Sequence, residues 1–209
     1  MTDNGLSLDY RVHAGSDTGP VLLLLHGTGG TPDDLVGLGR QLFGDAPMLA
    51  PAGPVSEFGA ARWFRRLAEG VFDTDDVVER AHQLADFVAA ATERHGLVGR
   101  PLIAIGFSNG ANIAAATLLL RPEVLQTAVL FSSMLPVPQP PAHDLSATKV
   151  FLANGTADPM APIASTDQLV SELQQRGADV GTYRHPGGHQ ITVDALAAAR
   201  DWAKELVAA

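Results

Sequence analysis

Apolar positions along the chain follow two periods that take turns. Residues 6–13 set Leu6, Leu8, Tyr10 and Val12 against Ser7, Asp9, Arg11 and His13, the period of two expected of a half-buried edge strand. Val21-Leu22-Leu23-Leu24-Leu25 is unbroken aliphatic, as in a parallel strand covered on both faces. Thr31-Pro32-Asp33-Asp34 reads as a helix start, with a Thr cap, Pro at the first position and acids at the positive end; that helix is expected to run to about Phe43. A short strand follows at 48–50, and residues 51–72 are expected to be irregular because Pro51, Gly53, Pro54 and Gly59 interrupt them. From Asp73 a long helix is predicted, with Val77, Val78, Ala81, Leu84, Ala85, Val88 and Ala91 on one stripe and Gly96 as its stop. Further strands are predicted at 102–105, 127–131, 149–153 and 180–184. The helices that separate them run to Leu120 (ended by Pro122) and over 162–176, and a last one over 192–207 carries Ala195, Ala199, Trp202 and Leu206 on one face.

Strands alternating with helices, with no internal repeat, predict parallel strands joined by right-handed crossovers: a doubly wound, mostly parallel α/β sheet. The 209 residues suit one domain, 1–209. A hydrophobic fraction of 46% against 18% charged argues for a large buried core and against disorder. The formal net charge of −9 disfavours phosphate backbones and anionic lipid, so no nucleic acid and no membrane insertion are expected. With no cysteine there is no disulfide, thiolate metal site or cysteine nucleophile. The first ten residues lack the apolar run of a signal peptide and the longest aliphatic stretch is too short for a bilayer, so a cytoplasmic location is the expectation.

In a doubly wound sheet chemistry gathers beyond the carboxyl ends of the strands. Gly106-Phe107-Ser108-Asn109-Gly110 lies between a predicted strand and a predicted helix, where a G-x-S-x-G turn holds a serine with its hydroxyl outward and glycines relieve the crowding. Taken alone, Ser108 would equally serve as a helix cap. Asp158 follows the next-to-last strand, where an aspartate before proline is common turn chemistry, and His189 follows the last strand in a glycine-rich loop. Their order of Ser, Asp, His, each past a different strand, points to a nucleophile, its general base and the carboxylate that orients the base. Histidine as a residue type titrates near ~6.5, which suits proton transfer at neutral pH. An oxyanion would need backbone donors, for which Asn109 and Thr28, in His26-Gly27-Thr28-Gly29-Gly30, are the candidates. That glycine-rich loop lacks the Lys-Ser/Thr pair or the G-x-G-x-x-G spacing of a phosphate cradle.

These segments resemble the phospholipase/carboxylesterase family of small α/β-hydrolases, which includes acyl-protein thioesterases and bacterial carboxylesterases, and most of all its bacterial MhqD-like branch. The resemblance rests on Leu25-His26-Gly27-Thr28-Gly29-Gly30, Trp63-Phe64-Arg65-Arg66, Gly106 to Asn112, Gly155-Thr156-Ala157-Asp158-Pro159 with Pro162, and Gly188-His189. It implies an α/β-hydrolase fold, Ser108 as nucleophile, Asp158 and His189 as its partners, and the Thr28 and Asn109 amides as the oxyanion hole. Dienelactone hydrolases, similar in size, use a cysteine that this chain lacks, and Asn109 stands where acyl-protein thioesterases typically carry Gln. Relatives of this kind are often dimers, which makes a homodimer one expectation.

The short span between the strands at 131 and 149 leaves no room for a helical cap domain, so an open site for a small-molecule ester is expected. Trp63, Phe64, Met134 and Leu135 are candidate substrate-binding residues; Phe72 and Phe107 fit a pocket or the core equally well. Arg62, Arg65 and Arg66 are read as salt-bridging to acidic neighbours in preference to holding a substrate anion. The remaining histidines show no ligand spacing, so no metal or other cofactor is expected and hydrolysis should survive a chelator. The reading is a serine carboxylesterase working through an acyl-enzyme. Thioester, lactone or peroxyacid chemistry on the same residues, or a ligand-binding protein on a hydrolase fold, are its alternatives.

Overall fold

A computed structural model describes residues 6–68 and 70–208. In chain order its elements are β1 (Tyr10–His13), β2 (Val21–Leu25), α1 (Val36–Phe43), β3 (Met48–Pro51), β4 (Val55–Glu57), β5 (Ala60–Arg62), β6 (Arg66–Ala68) and β7 (Val71–Phe72). They continue with α2 (Thr74–Arg94), β8 (Leu102–Phe107), α3 (Asn109–Leu120), β9 (Thr127–Phe131), β10 (Lys149–Gly155), α4 (Ile163–Gln175), β11 (Asp179–His185) and α5 (Val193–Ala208). Seven strands form the main sheet in the order β1-β3-β2-β8-β9-β10-β11. Only β1 is antiparallel, pairing with β3 at the edge, and its alternating sequence suits that half-covered place. All five residues of β2 are buried, as an aliphatic run between two helical layers must be.

One apolar layer packs α2, α3 and α4 on one face of the sheet, through residues such as Leu84, Val88, Ile113, Leu169 and Leu173. The other packs α1 and α5, through Leu42, Ala195 and Ala199, with Trp202 against Phe151. α3 is buried along its entire length, which explains its Ala/Leu composition without an amphipathic stripe. From β2 the chain passes to β3 on one side, while β8 joins on the other. The sheet therefore has a switch point between β2 and β8, where the carboxyl-end loops separate and leave a crevice.

Two expectations need correction. The first helix begins at Val36 and not at Thr31: residues 32–35 are turns, and the Thr31 hydroxyl bonds the Asp34 side chain at 2.6 Å instead of capping a backbone N–H. The stretch 51–72, expected to be irregular, holds two small hairpins, β4–β5 and β6–β7. Its strands are two or three residues long, and their few side chains are too short a sample for a period of two to stand out. Between β9 and β10 there is no helix, in line with the absence of a cap.

Candidate active site

Ser108 occupies the turn from β8 into α3 with φ 54 and ψ −119, one of three positive-φ residues other than glycine among those described. Such a conformation costs roughly 1–3 kcal/mol and persists only where the surroundings hold it. Its N–H is bonded to Phe131 O at 2.9 Å, and its C=O accepts from Asn112 N–H at 2.9 Å. The flanking glycines have separate reasons. A Cβ on Gly106 would lie 2.7 Å from the Ala111 backbone, inside the turn. A Cβ on Gly110 would land on the Leu25 carbonyl of β2, so this glycine lets α3 pack against the sheet and does not relieve Gly106.

The loops after β10 and β11 sit back to back. A Cβ on Gly155 would overlap the Gly187 and Gly188 carbonyls, and Thr156 N–H bonds His185 O at 2.8 Å. This contact fixes Asp158 and His189 relative to each other. Asp158 Oδ1 accepts from Met160 and Ala161 N–H at 2.8 and 3.0 Å. Its Oδ2 faces His189 Nδ1 at 2.7 Å, and His189 Nε2 faces Ser108 Oγ at 2.7 Å. A carboxylate only accepts, so Nδ1 carries the ring proton and Nε2 accepts the serine hydroxyl's hydrogen. The three side chains expected from separate loops are thus joined in one hydrogen-bonded row.

Thr28 and Asn109 are beside this row, in the wall of the cavity that contains Ser108. In the 26–30 loop the Gly29 and Gly30 amides are already bonded, to Ala61 O at 2.8 Å and to Gly27 O at 3.0 Å. His26 braces the loop. Gly53 N–H donates to its Nε2 at 3.0 Å, so the proton is on Nδ1, which donates to Gly27 O at 2.7 Å. Desolvation holds its pKa below the usual 6.5, although the Gly27 bond and Asp34 pull the other way.

The hairpin segment is tied to the same loop. Trp63 Nε1 donates to His26 O at 2.8 Å, Trp63 N–H to Asn109 Oδ1 at 2.7 Å, and Arg62 Nη1 to Thr28 Oγ1 at 3.1 Å. Arg65 pairs with Asp73 and Asp76 at 3.1 Å each, while Arg62 and Arg66 pair with Glu57 at 3.4 and 3.0 Å. The salt-bridging expected of the three arginines is observed.

Two cavities meet at Ser108. A narrow slot of about 30 Å³ is walled by Thr28, Arg62, Arg66, Phe72, Asn109 and Asn112, among others. A wider trough of about 230 Å³ runs along Gly27, Leu35, Phe107 and His189, and Met160 borders both. The four residues expected to bind substrate are in neither wall. Trp63 and Phe64 are 1% and 0% exposed and belong to the hydrophobic core. Met134 is buried, with its N–H on Asn112 Oδ1 at 2.9 Å, and Leu135 packs on the core with its N–H on Ser165 Oγ at 3.2 Å. Phe72 and Phe107, for which core and pocket were both open, do line the cavities, and the Phe107 ring is 5.2 Å from the His189 ring. Met160 and Asn112 were missed as wall residues. Met160 had a signal in the sequence, since it follows Asp158-Pro159 directly, and the bond that orients Asp158 also sets Met160 beside Ser108. Among the described residues no three His, Asp or Glu side chains are grouped so as to hold a metal ion, and no helix is long and apolar enough to cross a membrane.

Residues 11–206 match the model of the phospholipase/carboxylesterase family. The chain is 42% identical to the putative hydrolase MhqD of Bacillus subtilis over 90% of its length and 94% of that protein's. Among solved structures it is similar to the Bacillus cereus carboxylesterase, with 38% identity, a TM-score of 0.92 and coverage of 97% of this chain and 96% of that one. A carboxylesterase from Mesorhizobium loti gives 32% identity and a TM-score of 0.89, over 97% of this chain and 96% of that one. The sheet order, the turn at Ser108 and these likenesses agree: the chain has the α/β-hydrolase fold and belongs to the phospholipase/carboxylesterase family.

Proposed function

We propose that this hydrolase is a serine carboxylesterase acting on small to medium esters. The observation that carries the reading is the row Asp158–His189–Ser108 with two 2.7 Å hydrogen bonds, open to a cavity on either side of the hydroxyl. Ser108 Oγ attacks the ester carbonyl carbon and gives its proton to His189 Nε2. Asp158 keeps Nδ1 protonated and stabilises the imidazolium. The carbonyl oxygen becomes an oxyanion toward the Thr28 and Asn109 backbone N–H groups, at the positive end of α3. Collapse breaks the ester C–O bond, and the leaving alkoxide takes the proton from His189. Water then attacks the acyl-Ser108 carbonyl, loses a proton to His189, and the carboxylic acid departs as Ser108 regains its hydrogen. A trough of about 230 Å³ falls below the ~300–1,000 Å³ of drug-sized sites, which supports a small ester.

Replacing Ser108 with Ala is expected to lower kcat on p-nitrophenyl acetate by about 10⁴–10⁶. A fluorophosphonate probe should label Ser108 in the native protein. Retention of most activity in Ser108→Ala, or no labelling, overturns the assignment.

A further inference from the structure

The slot on the hairpin side of Ser108 differs in chemistry from the trough. Its polar wall sets amide and guanidinium side chains beside the Thr28 and Ser108 hydroxyls. Asn112 Oδ1 accepts from Met134 N–H at 2.9 Å and from the Ser133 hydroxyl at 3.2 Å. A backbone N–H can only donate, so the amide's orientation is settled and Nδ2 is the end left for the cavity wall. Asn109 is fixed the same way, by Trp63 N–H on its Oδ1 at 2.7 Å. Asn109 is 3% exposed, and its Nδ2 is buried without a partner. Leaving such a donor unbonded is unfavourable, but it is sealed from the slot, and Asn112 is the amide left for a ligand. The Arg62 and Arg66 side chains complete the wall and bring positive charge, shared with Glu57. About 30 Å³ has room for roughly two water-sized groups, at ~10–15 Å³ each.

We infer that the slot is a subsite for a carboxylate on the acyl half of the substrate, received by the Asn112 amide and the Arg66 guanidinium, so that half-esters of short dicarboxylic acids are the preferred substrates. The inference rests on Ser108 being the nucleophile, and it deepens that reading by naming a substrate class. The slot shares Thr28 and Asn109 with the proposed oxyanion hole, which places it on the side of the ester carbonyl oxygen. Glu57 lowers the local positive charge, but as an acceptor it cannot take the place of the Asn112 amide donor.

Monomethyl succinate and methyl butyrate differ only in a terminal carboxylate in place of a methyl group. Native protein should favour the succinate ester in kcat/KM by about tenfold or more, given the strength of hydrogen bonds to charged groups. Two substitutions should bring that ratio down to about one or below. Arg66→Gln removes a cation from a partly exposed side chain. Asn112→Asp keeps the acceptor for Met134 N–H but sets a carboxylate where the amide donor was, so a well-folded variant is expected to reject the charged ester. Succinate itself should bind the native protein in a calorimetric titration, and more weakly to Asn112→Asp; this readout needs no turnover. Equal or lower kcat/KM for the succinate ester with methyl butyrate still hydrolysed overturns the subsite and leaves the esterase reading intact. A ratio unmoved by either substitution, or no succinate binding, also overturns it. Loss of turnover on both esters with Ser108 unlabelled overturns the esterase reading instead.

Discussion

The two oxygens of Asp158 have different work, and this makes a sharp test. Oδ1 is committed to the Met160 and Ala161 amides, while Oδ2 receives His189 Nδ1–H. In Asp158→Asn the remaining oxygen is best used by the two backbone donors, which turns the new NH₂ toward Nδ1–H. Two donors then face each other, and the ring must shift its proton to Nε2 or swing away. Either way Ser108 loses its acceptor. The expected result is a fall in kcat of about 10³–10⁴ with a folded protein, read from steady-state kinetics beside a thermal melt. These three residues were legible in the sequence because each needs a residue type, an order and a place past a strand end. Asn112 was not legible in that way. Its orientation comes from Met134 and Ser133, twenty-odd positions away, and no local pattern carries that. Trp63 and Phe64 misled for a related reason. Breakers around an aromatic pair suggest an irregular segment that could line a pocket, yet both rings are buried, and Trp63 is bonded to residues distant in the chain.

Among elements, the long strands and helices were readable to within a few residues, since burial on both faces or on one stripe dominates their composition. The hairpins were hidden because they are held from outside. Two-stranded ribbons are marginal alone, and here tertiary bonds supply what they lack. Trp63 is the central tie, bonded to both the 26–30 loop and the start of α3. Trp63→Phe keeps an aromatic ring in the core but removes the donor to His26 O. The expected cost is about 1–3 kcal/mol of stability, measured by urea unfolding, together with a lower kcat as the Thr28 loop loses a brace. An unchanged midpoint would mean that the tie contributes nothing. The packing of α3 on β2 admits a harsher test. Gly110→Ala drives a methyl group into the Leu25 carbonyl, backbone against backbone, and about 3 kcal/mol or more should be lost. A melt like that of the native protein would show that the helix can slide, and that its closeness to the sheet is not what requires glycine.

At the scale of the whole molecule, the switch point between β2 and β8 explains why three distant loops share one rim, and His26 directly follows the end of β2, 1% exposed. The neutral ring is built into the fold, because Gly53 N–H occupies Nε2 and only an unprotonated nitrogen can accept it. Burial accordingly pushes its pKa below 6.5. The unfolded chain regains an ordinary histidine, so as pH falls through about 6.5 the unfolded state takes up a proton that the native state refuses. Stability from this source is complete above that pH, declines below it, and stops declining only once pH passes below the depressed native value. Asn at position 26 has no proton to gain. His26→Asn should therefore melt below the native protein at pH 7.5, where the brace is impaired, yet show a shallower fall in Tm between pH 7 and pH 5. All the other histidines are common to both proteins, so the difference in slope isolates this one. Parallel Tm–pH curves would mean that residue 26 accepts a proton freely in the folded state, and that the hydrogen bond from Gly53 does not hold the loop that carries Thr28.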